Sequence, residues 1–387
     1  MAHELLEAAR ALAPELSRRA LEAEQLRTMP PDLVETIRSV GLFHFAMPAD
    51  LGGPECDAET IFEIVEECSR ADGSAGWTIF INNSTSFVAW LDPEVAKDFV
   101  AAYPKFIAAS MFGPSATATP TDTGELAING RWPFNSGSPH ADFLMNGVMM
   151  MDGDKPRILA NGVPDMRFAI FPRSEAEILD TWHVSGLRGT GSHDVVARDI
   201  VIPKEHTIAP LTEPARLGGP LFRLPFTTML CTFMAGFPLG VARRAIDEFV
   251  ELAGAKGRTI GAPGGPMADD ESIQVEVARA DAAVRSARAY VLDTIGTALD
   301  VVARGDTLPM SLRAQATLAT LNGARVARQV VDAICGLAGG GALYDSSPLQ
   351  RCARDAAAGT AHIFLSHGRW KEVGKVLLGK DPNTLFI

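Results

Sequence analysis

The stretch TWHVSGLRGTGSHDVVARDIVIP, Thr181 to Pro203, decides how this chain is read. It sets Gly186, Gly189 and Gly191, with Arg188, Thr190 and Ser192, at the mouth of an apolar-rich strand. Glycine lacks a Cβ, so its backbone can approach a neighbour closely or turn through positive φ. Two explanations compete: a backbone that closes on a flat ligand, or a tight crossover between layers. What lies on either side of this segment decides which architecture it serves.

Upstream to about residue 105 the pattern is helical. PPDLVETIRSVGLFHFAMPADLGG opens on proline, spaces its apolar residues by three and four, and stops at Gly41. DAETIFEIVEECSRADGSAGW repeats the pattern, with Asp57 as N-cap and Gly73 after the last turn. From about Phe106 to Pro203 short apolar runs alternate with Gly, Pro, Asn and Asp, and Asn129-Gly130 is a hairpin signal. A Pro-rich bridge, Pro210 to Pro225, leads back into helices. Ile273, Val277, Ala280, Val284, Ala287, Val291, Ile295, Leu299 and Val302 share one helical face, and a second long helix ends in the cluster Gly339-Gly340-Gly341. This order predicts an α+β fold: an N-terminal helical domain (1–105), a middle β-barrel or sandwich domain (106–210) and a C-terminal four-helix bundle (211–387).

Composition narrows the function. The 387 residues carry a net charge of −12, which opposes binding to nucleic-acid phosphates. The N-terminal segment is a charged amphipathic helix without the apolar core of a signal peptide, and no run of about 18 apolar residues predicts a membrane span. Five scattered cysteines without a CxxC pair suit free thiols in the cytoplasm. The eight histidines show no HxxxH or HExxH spacing, so no metal is expected.

Three ordered segments resemble the acyl-CoA dehydrogenase superfamily of flavoproteins across essentially the whole chain. They are GLFHFAMPADLGG, GLRGTGSHDVVARDIVIP and GGGALYDSSPLQRCARD (Gly339 to Asp355). In most of that family a glutamate base follows the Arg of the Arg-Asp pair by nine residues, which falls on Ile363 here. The minority position, eight residues before Pro-Leu-Gly, falls on Leu230. Dehydrogenation of an acyl thioester needs a base for the α-proton, and both positions are aliphatic. The texture is more similar to the oxygenase components of two-component flavin monooxygenases, in Trp132–Ala141, Gly186–Ser192 and Pro348–His362. The resemblance implies a monooxygenase that receives reduced FAD or FMN from a separate flavin reductase. By the same resemblance that flavin would form a C4a-hydroperoxide with O2, which would oxygenate a small organic substrate. The alternative is an oxidase-like flavoenzyme acting on an acyl thioester, with His362 as base. No nicotinamide-binding GxGxxG follows a strand.

The resemblance also implies site residues. Ser136 would lie beside flavin N5 and His362 near the C4a side, where an imidazole with an ordinary pKa of about 6.5 moves protons. Ser366, one helical turn on, would share its face. Ser110, Phe112, Gly113, Phe134, Thr190 and Ser192 would border the flavin; Arg188 would either join them or serve structure by pairing with Asp194 or a helix end. Lys256 and Arg258 would meet flavin phosphates, and Gly339 and Gly340 would either cradle a phosphate or adenine portion or cap the helix before them. The family's Arg-x-x-Phe-Gly is degraded around Lys256, which leaves FAD and FMN both open. Trp77 would contact substrate, while Ser84, Thr85 and Ser86 stand where many hydroxylases carry a second histidine. The family assembles as dimers of dimers, so a homotetramer or homodimer is implied.

Overall fold

The computed structural model describes residues 2–255 and 266–387. Five helices come first: α1 (Ala2–Leu26), α2 (Pro31–Ser39), α3 (Ala58–Ala71), α4 (Gly73–Asn82) and α5 (Pro93–Ala102). Asp57 caps α3 by accepting the Thr60 N–H at 2.8 Å, as expected of an aspartate at that position. Gly73 does not follow a stop. It begins α4, because Asp72 caps that helix by accepting the Ala75 N–H at 2.9 Å. A side chain at Gly73 would meet the Asp355 carboxylate.

Eight strands follow: β1 (Ala108–Pro120), β2 (Leu126–Trp132), β3 (Phe143–Asp152), β4 (Lys155–Pro156), β5 (Met166–Pro172), β6 (Glu177–Leu179), β7 (Asp194–Ile202) and β8 (Thr207–Ile208). They form one sheet in the order β6-β7-β2-β1-β3-β5-β8, with β4 paired to β3. Among the described strands only β1 and β3 run parallel, and their register shifts between Met111 and Ala116. The intervening residues leave the ladder, which frees Phe112 and Gly113 for the site described below. Asn129-Gly130 is not a hairpin turn. The β1–β2 turn closes instead from Thr121 to Glu125, with Gly124 at φ 88°. Asn129-Gly130 lies inside β2 at a register shift against β7, where a Cβ on Gly130 would stand 2.4 Å from the Ala116 Cβ. Close strand packing, not turn geometry, demands that glycine.

The rest is helical: α6 (Pro220–Arg223), α7 (Phe226–Ala255), α8 (Glu271–Ala303), α9 (Met310–Ala338), α10 (Pro348–Thr360) and α11 (His367–Leu377). α7 packs between α3 and α9, α8 lies along α9, and α10 and α11 close the bundle. The predicted stripe on α8 is buried at Ile273, Ala280, Val284, Ala287, Val291, Ile295 and Val302. One core runs through both helical regions, and a second, led by Trp132, Leu144 and Phe171, lies on the other face of the sheet. Among the described residues no helix is long and apolar enough to cross a membrane.

Candidate active site

A cavity of about 760 Å³ opens where α4, β1, the 182–192 loop, α7 and the segment after α10 meet. Its size falls within the range of small-molecule sites. α7 contributes Phe226, Leu230, Phe233 and Met234, a face at helical spacing. Phe80, Phe87, Phe112, Phe168 and Phe364 complete an aromatic wall in which rings meet edge to face, Phe112 and Phe364 at 5.0 Å. At the mouth Phe134 holds φ +60°, rare for a bulky residue, and is 66 % exposed beside Trp182.

The polar rim is built from hydroxyls. Trp77 Nε1 donates to Ser136 Oγ at 3.1 Å, Ser136 Oγ lies 2.7 Å from Ser192 Oγ, and Ser192 Oγ lies 2.5 Å from Thr190 Oγ1. Thr190 in turn donates to the Leu187 carbonyl at 2.8 Å. Ser136 and Ser192 face the cavity, whereas Thr190 stands behind them, fully buried. On the opposite side Ser84 donates to Ser110 Oγ at 2.6 Å.

The glycines of the opening segment serve crossover packing. A Cβ on Gly186 would stand 2.1 Å from the Arg354 carbonyl oxygen on α10, and one on Gly189 would meet α1 and α4. Leu187 takes φ +53°, held by its N–H donating to the Asp355 carboxylate at 2.6 Å. Arg188 pairs with Glu24 at 3.5 Å and not with Asp194, which is held by Arg131 at 2.5 Å. Backbone and hydroxyls at Gly186, Leu187 and Ser192 still form cavity wall, so the segment answers to both demands.

His362 lines the cavity, but from a helix break. Thr360 Oγ1 donates back to the Ala356 carbonyl at 2.6 Å, and His362 Nδ1 accepts the Phe364 N–H at 3.3 Å. Such local bonds compete with helical ones and end α10. Ser366 reaches the same cavity from the cap of α11, across that break and not one turn along a helix. Burial beside Trp77 and Phe364, and then the Arg369 charge, push the His362 imidazole down to about 4. It is therefore neutral at pH 7 and, with Nδ1 accepting, carries its hydrogen on Nε2.

The cavity thus brings together His362, Ser136, Ser110, Phe112, Gly113, Phe134, Ser192, Trp77 and Ser366. Gly339 and Gly340 stand away from it, exposed at the end of α9, where Gly339 at φ 62° stops the helix. Lys256 and Arg258 lie outside the described residues. Sequence reasoning missed the aromatic wall and Trp182. The α7 spacing of Phe226, Leu230 and Phe233 was legible as a stripe, but nothing in it says cavity wall and not core. Leu230 and Ile363, the two positions counted for a dehydrogenase base, both line the cavity, and no carboxylate does among the described residues.

The family description "Acyl-CoA dehydrogenase, N-terminal domain" matches residues 2–98, and "Acyl-CoA dehydrogenase, C-terminal domain" matches 232–367. Indole-3-acetate monooxygenase of Pseudomonas putida is 34% identical over 93% of this chain and 90% of its own. The flavin-dependent monooxygenase oxygenase subunit HsaA of Mycobacterium tuberculosis is 29% identical over 91% of this chain and 89% of its own. A crystal structure of the HsaA monooxygenase from that organism superposes with a TM-score of 0.89 over 100% of both chains, at 28% identity. The chain belongs to the acyl-CoA dehydrogenase family and, within it, to the flavin-dependent monooxygenases.

Proposed function

We propose that this protein is the oxygenase component of a two-component monooxygenase, which takes reduced FAD or FMN from a separate reductase and places one atom of O2 on a small aromatic substrate. The observation that carries this is the cavity wall at Leu230 and Ile363. A site with no carboxylate there, and with its histidine pushed down to about 4, is poorly equipped to take an α-proton from an acyl thioester. The site's residues fit a flavin. Exposed Phe134 beside Trp182 offers faces for a planar ring, and Ser136 and Ser192 offer hydroxyls for its polar edge. When bound, reduced flavin supplies the two electrons that activate O2; the second oxygen atom leaves as water.

The protein's own residues do the rest. The phenylalanine wall receives an aromatic ring and excludes water, and no charged side chain lines it among the described residues. His362 lines the cavity and holds its hydrogen on Nε2, and Ser84 with Ser110 offers a hydroxyl pair to a polar substituent. The name of the Pseudomonas putida relative supports an aromatic substrate, and the name of HsaA supports a partner reductase. Assembly as a homodimer or homotetramer belongs to the same reading. The test is anaerobic: photoreduced FMN or FAD is bound and mixed rapidly with oxygenated buffer. A transient absorbance before oxidised flavin returns is the expected result. Direct return to oxidised flavin, or bleaching of the oxidised holoprotein by an acyl-CoA, would overturn the proposal.

A further inference from the structure

We propose that Ser192 and Thr190 are positioning residues that set the direction of the hydrogen on Ser136, so that Ser136 turns a lone pair and not a hydrogen toward the cavity; the ratio of reduced to oxidised flavin binding is the readout. This assignment rests on flavin lying in the cavity as proposed above, and on its N5 edge standing at Ser136, as the family resemblance implies. Trp77 Nε1 can only donate, and it gives its hydrogen to Ser136 Oγ at 3.1 Å. Beyond Ser136 three hydroxyls run inward, Ser136 to Ser192 at 2.7 Å and Ser192 to Thr190 at 2.5 Å. The chain ends on the Leu187 carbonyl, 2.8 Å from Thr190 Oγ1 and also held by Trp182 Nε1 at 3.0 Å. Ser136, Ser192 and Thr190 are 5 %, 3 % and 0 % exposed, which leaves little room for water to substitute for a missing bond.

Three hydroxyl hydrogens can be ordered in two directions. In the inward order Ser136 donates to Ser192, Ser192 to Thr190, and Thr190 to the Leu187 carbonyl. Every hydrogen then has an acceptor within the protein, and Ser136 turns a lone pair to the cavity. In the outward order each hydroxyl reverses, Ser136 donates into the cavity, and the bond from Thr190 to Leu187 is given up. The inward order keeps one more protein hydrogen bond. A lone pair at Ser136 accepts from N5–H and repels the N5 lone pair of oxidised flavin. One net hydrogen bond corresponds to a preference of up to about ten-fold. Ser192 and Thr190 are thus positioning residues that act through Ser136.

The experiment is equilibrium titration of the full-length protein with oxidised FMN and FAD and, anaerobically, with their photoreduced forms, followed by tryptophan quenching. The midpoint potential of the bound flavin is measured alongside. Wild-type protein is expected to bind the reduced form about ten-fold more tightly. Ser192→Ala and Thr190→Val should each bring the ratio toward one and lower the potential by about 30 mV, the two-electron equivalent of ten-fold. Ser192→Thr, which keeps a hydroxyl, should restore both. Should Ser192→Ala not fold, Thr190→Val interrupts the same chain from its inner end. Unchanged ratios in variants that still bind flavin would overturn this proposal and leave the cavity assignment standing. No binding of either form to wild-type protein would overturn the two together.

Discussion

His362 shows how a residue's surroundings change its chemistry. An ordinary imidazole titrates near 6.5, which suggested a proton carrier at neutral pH. Burial against Trp77 and Phe364 instead keeps this ring neutral down to about pH 4, with Nδ1 committed to the Phe364 N–H. At pH 7 the ring is neutral and carries its hydrogen on Nε2. NMR of the imidazole nitrogens should therefore show no titration of His362 between pH 8 and pH 5; an inflection near 6.5 would contradict the burial argument. His362→Asn keeps a donor of similar reach but loses the imidazole. It should bind reduced flavin normally and lower product formation per flavin oxidised by about 10²-fold, the usual scale for a positioned proton donor. Hydrogen peroxide release measured alongside product separates lost coupling from lost binding.

Among the elements, the 186–192 loop carries the strongest constraint. Gly186 has no room for a side chain, because a Cβ would stand 2.1 Å from a backbone oxygen of α10, which cannot rotate away. Gly186→Ala should cost at least ~2 kcal/mol in urea unfolding and should also weaken flavin binding, since the displaced backbone carries Leu187 and Ser192. The loop's composition announced that something lay close to it, yet not which surface. A glycine records a close approach without naming the neighbour. Asn129-Gly130 failed as a turn for a related reason: the pair suits a tight hairpin locally, but contact with Ala116 across the sheet decides its place. Phe226, Leu230, Phe233 and Met234 stand at helical spacing on α7, while their use as a cavity wall depends on β1, α4 and the segment after α10 standing off from them.

At the scale of the whole molecule, one buried ionic group ties the two ends of the chain to the site. Glu24 of α1 pairs with Arg354 of α10, and lies 3.9 Å from Arg351 and 3.5 Å from Arg188. Arg351 also faces Asp72 at 3.7 Å, and Asp355 holds Leu187. Removing one charge from such a group leaves its partners uncompensated, so Glu24→Gln should lose about 3 kcal/mol of stability in urea unfolding. Three half-buried histidines set a pH dependence. Burial pushes His44 and His362 down to about 4 and His140 to about 3. Between pH 6.5 and 4 the unfolded chain takes up protons at these positions and the folded chain does not, so their effect is a loss of stability as pH falls through that window. Asp72 and Asp355 act in the opposite sense. Burial raises both, so their contribution is full below 3.8 and is lost as pH rises. His140→Asn should lessen the loss of stability between pH 7 and pH 5 by about 2 kcal/mol relative to wild type, measured by urea unfolding at each pH.

The sequence by itself determined the helix–sheet–helix order, the caps at Asp57 and Gly41, the buried face of α8 and the missing carboxylates at Leu230 and Ile363. These depend on local periodicity, capping chemistry and residue identity, which neighbours in the chain express directly. Only the tertiary structure decided which hydroxyls join into one chain, which residue pairs with Arg188, and how far the His362 imidazole is shifted. Each of those depends on groups far apart in sequence, Trp77 with Ser136, Glu24 with Arg188, Trp77 with His362. Hydrogen-bond direction and desolvation are properties of the packed surroundings, and no single segment of the chain contains them.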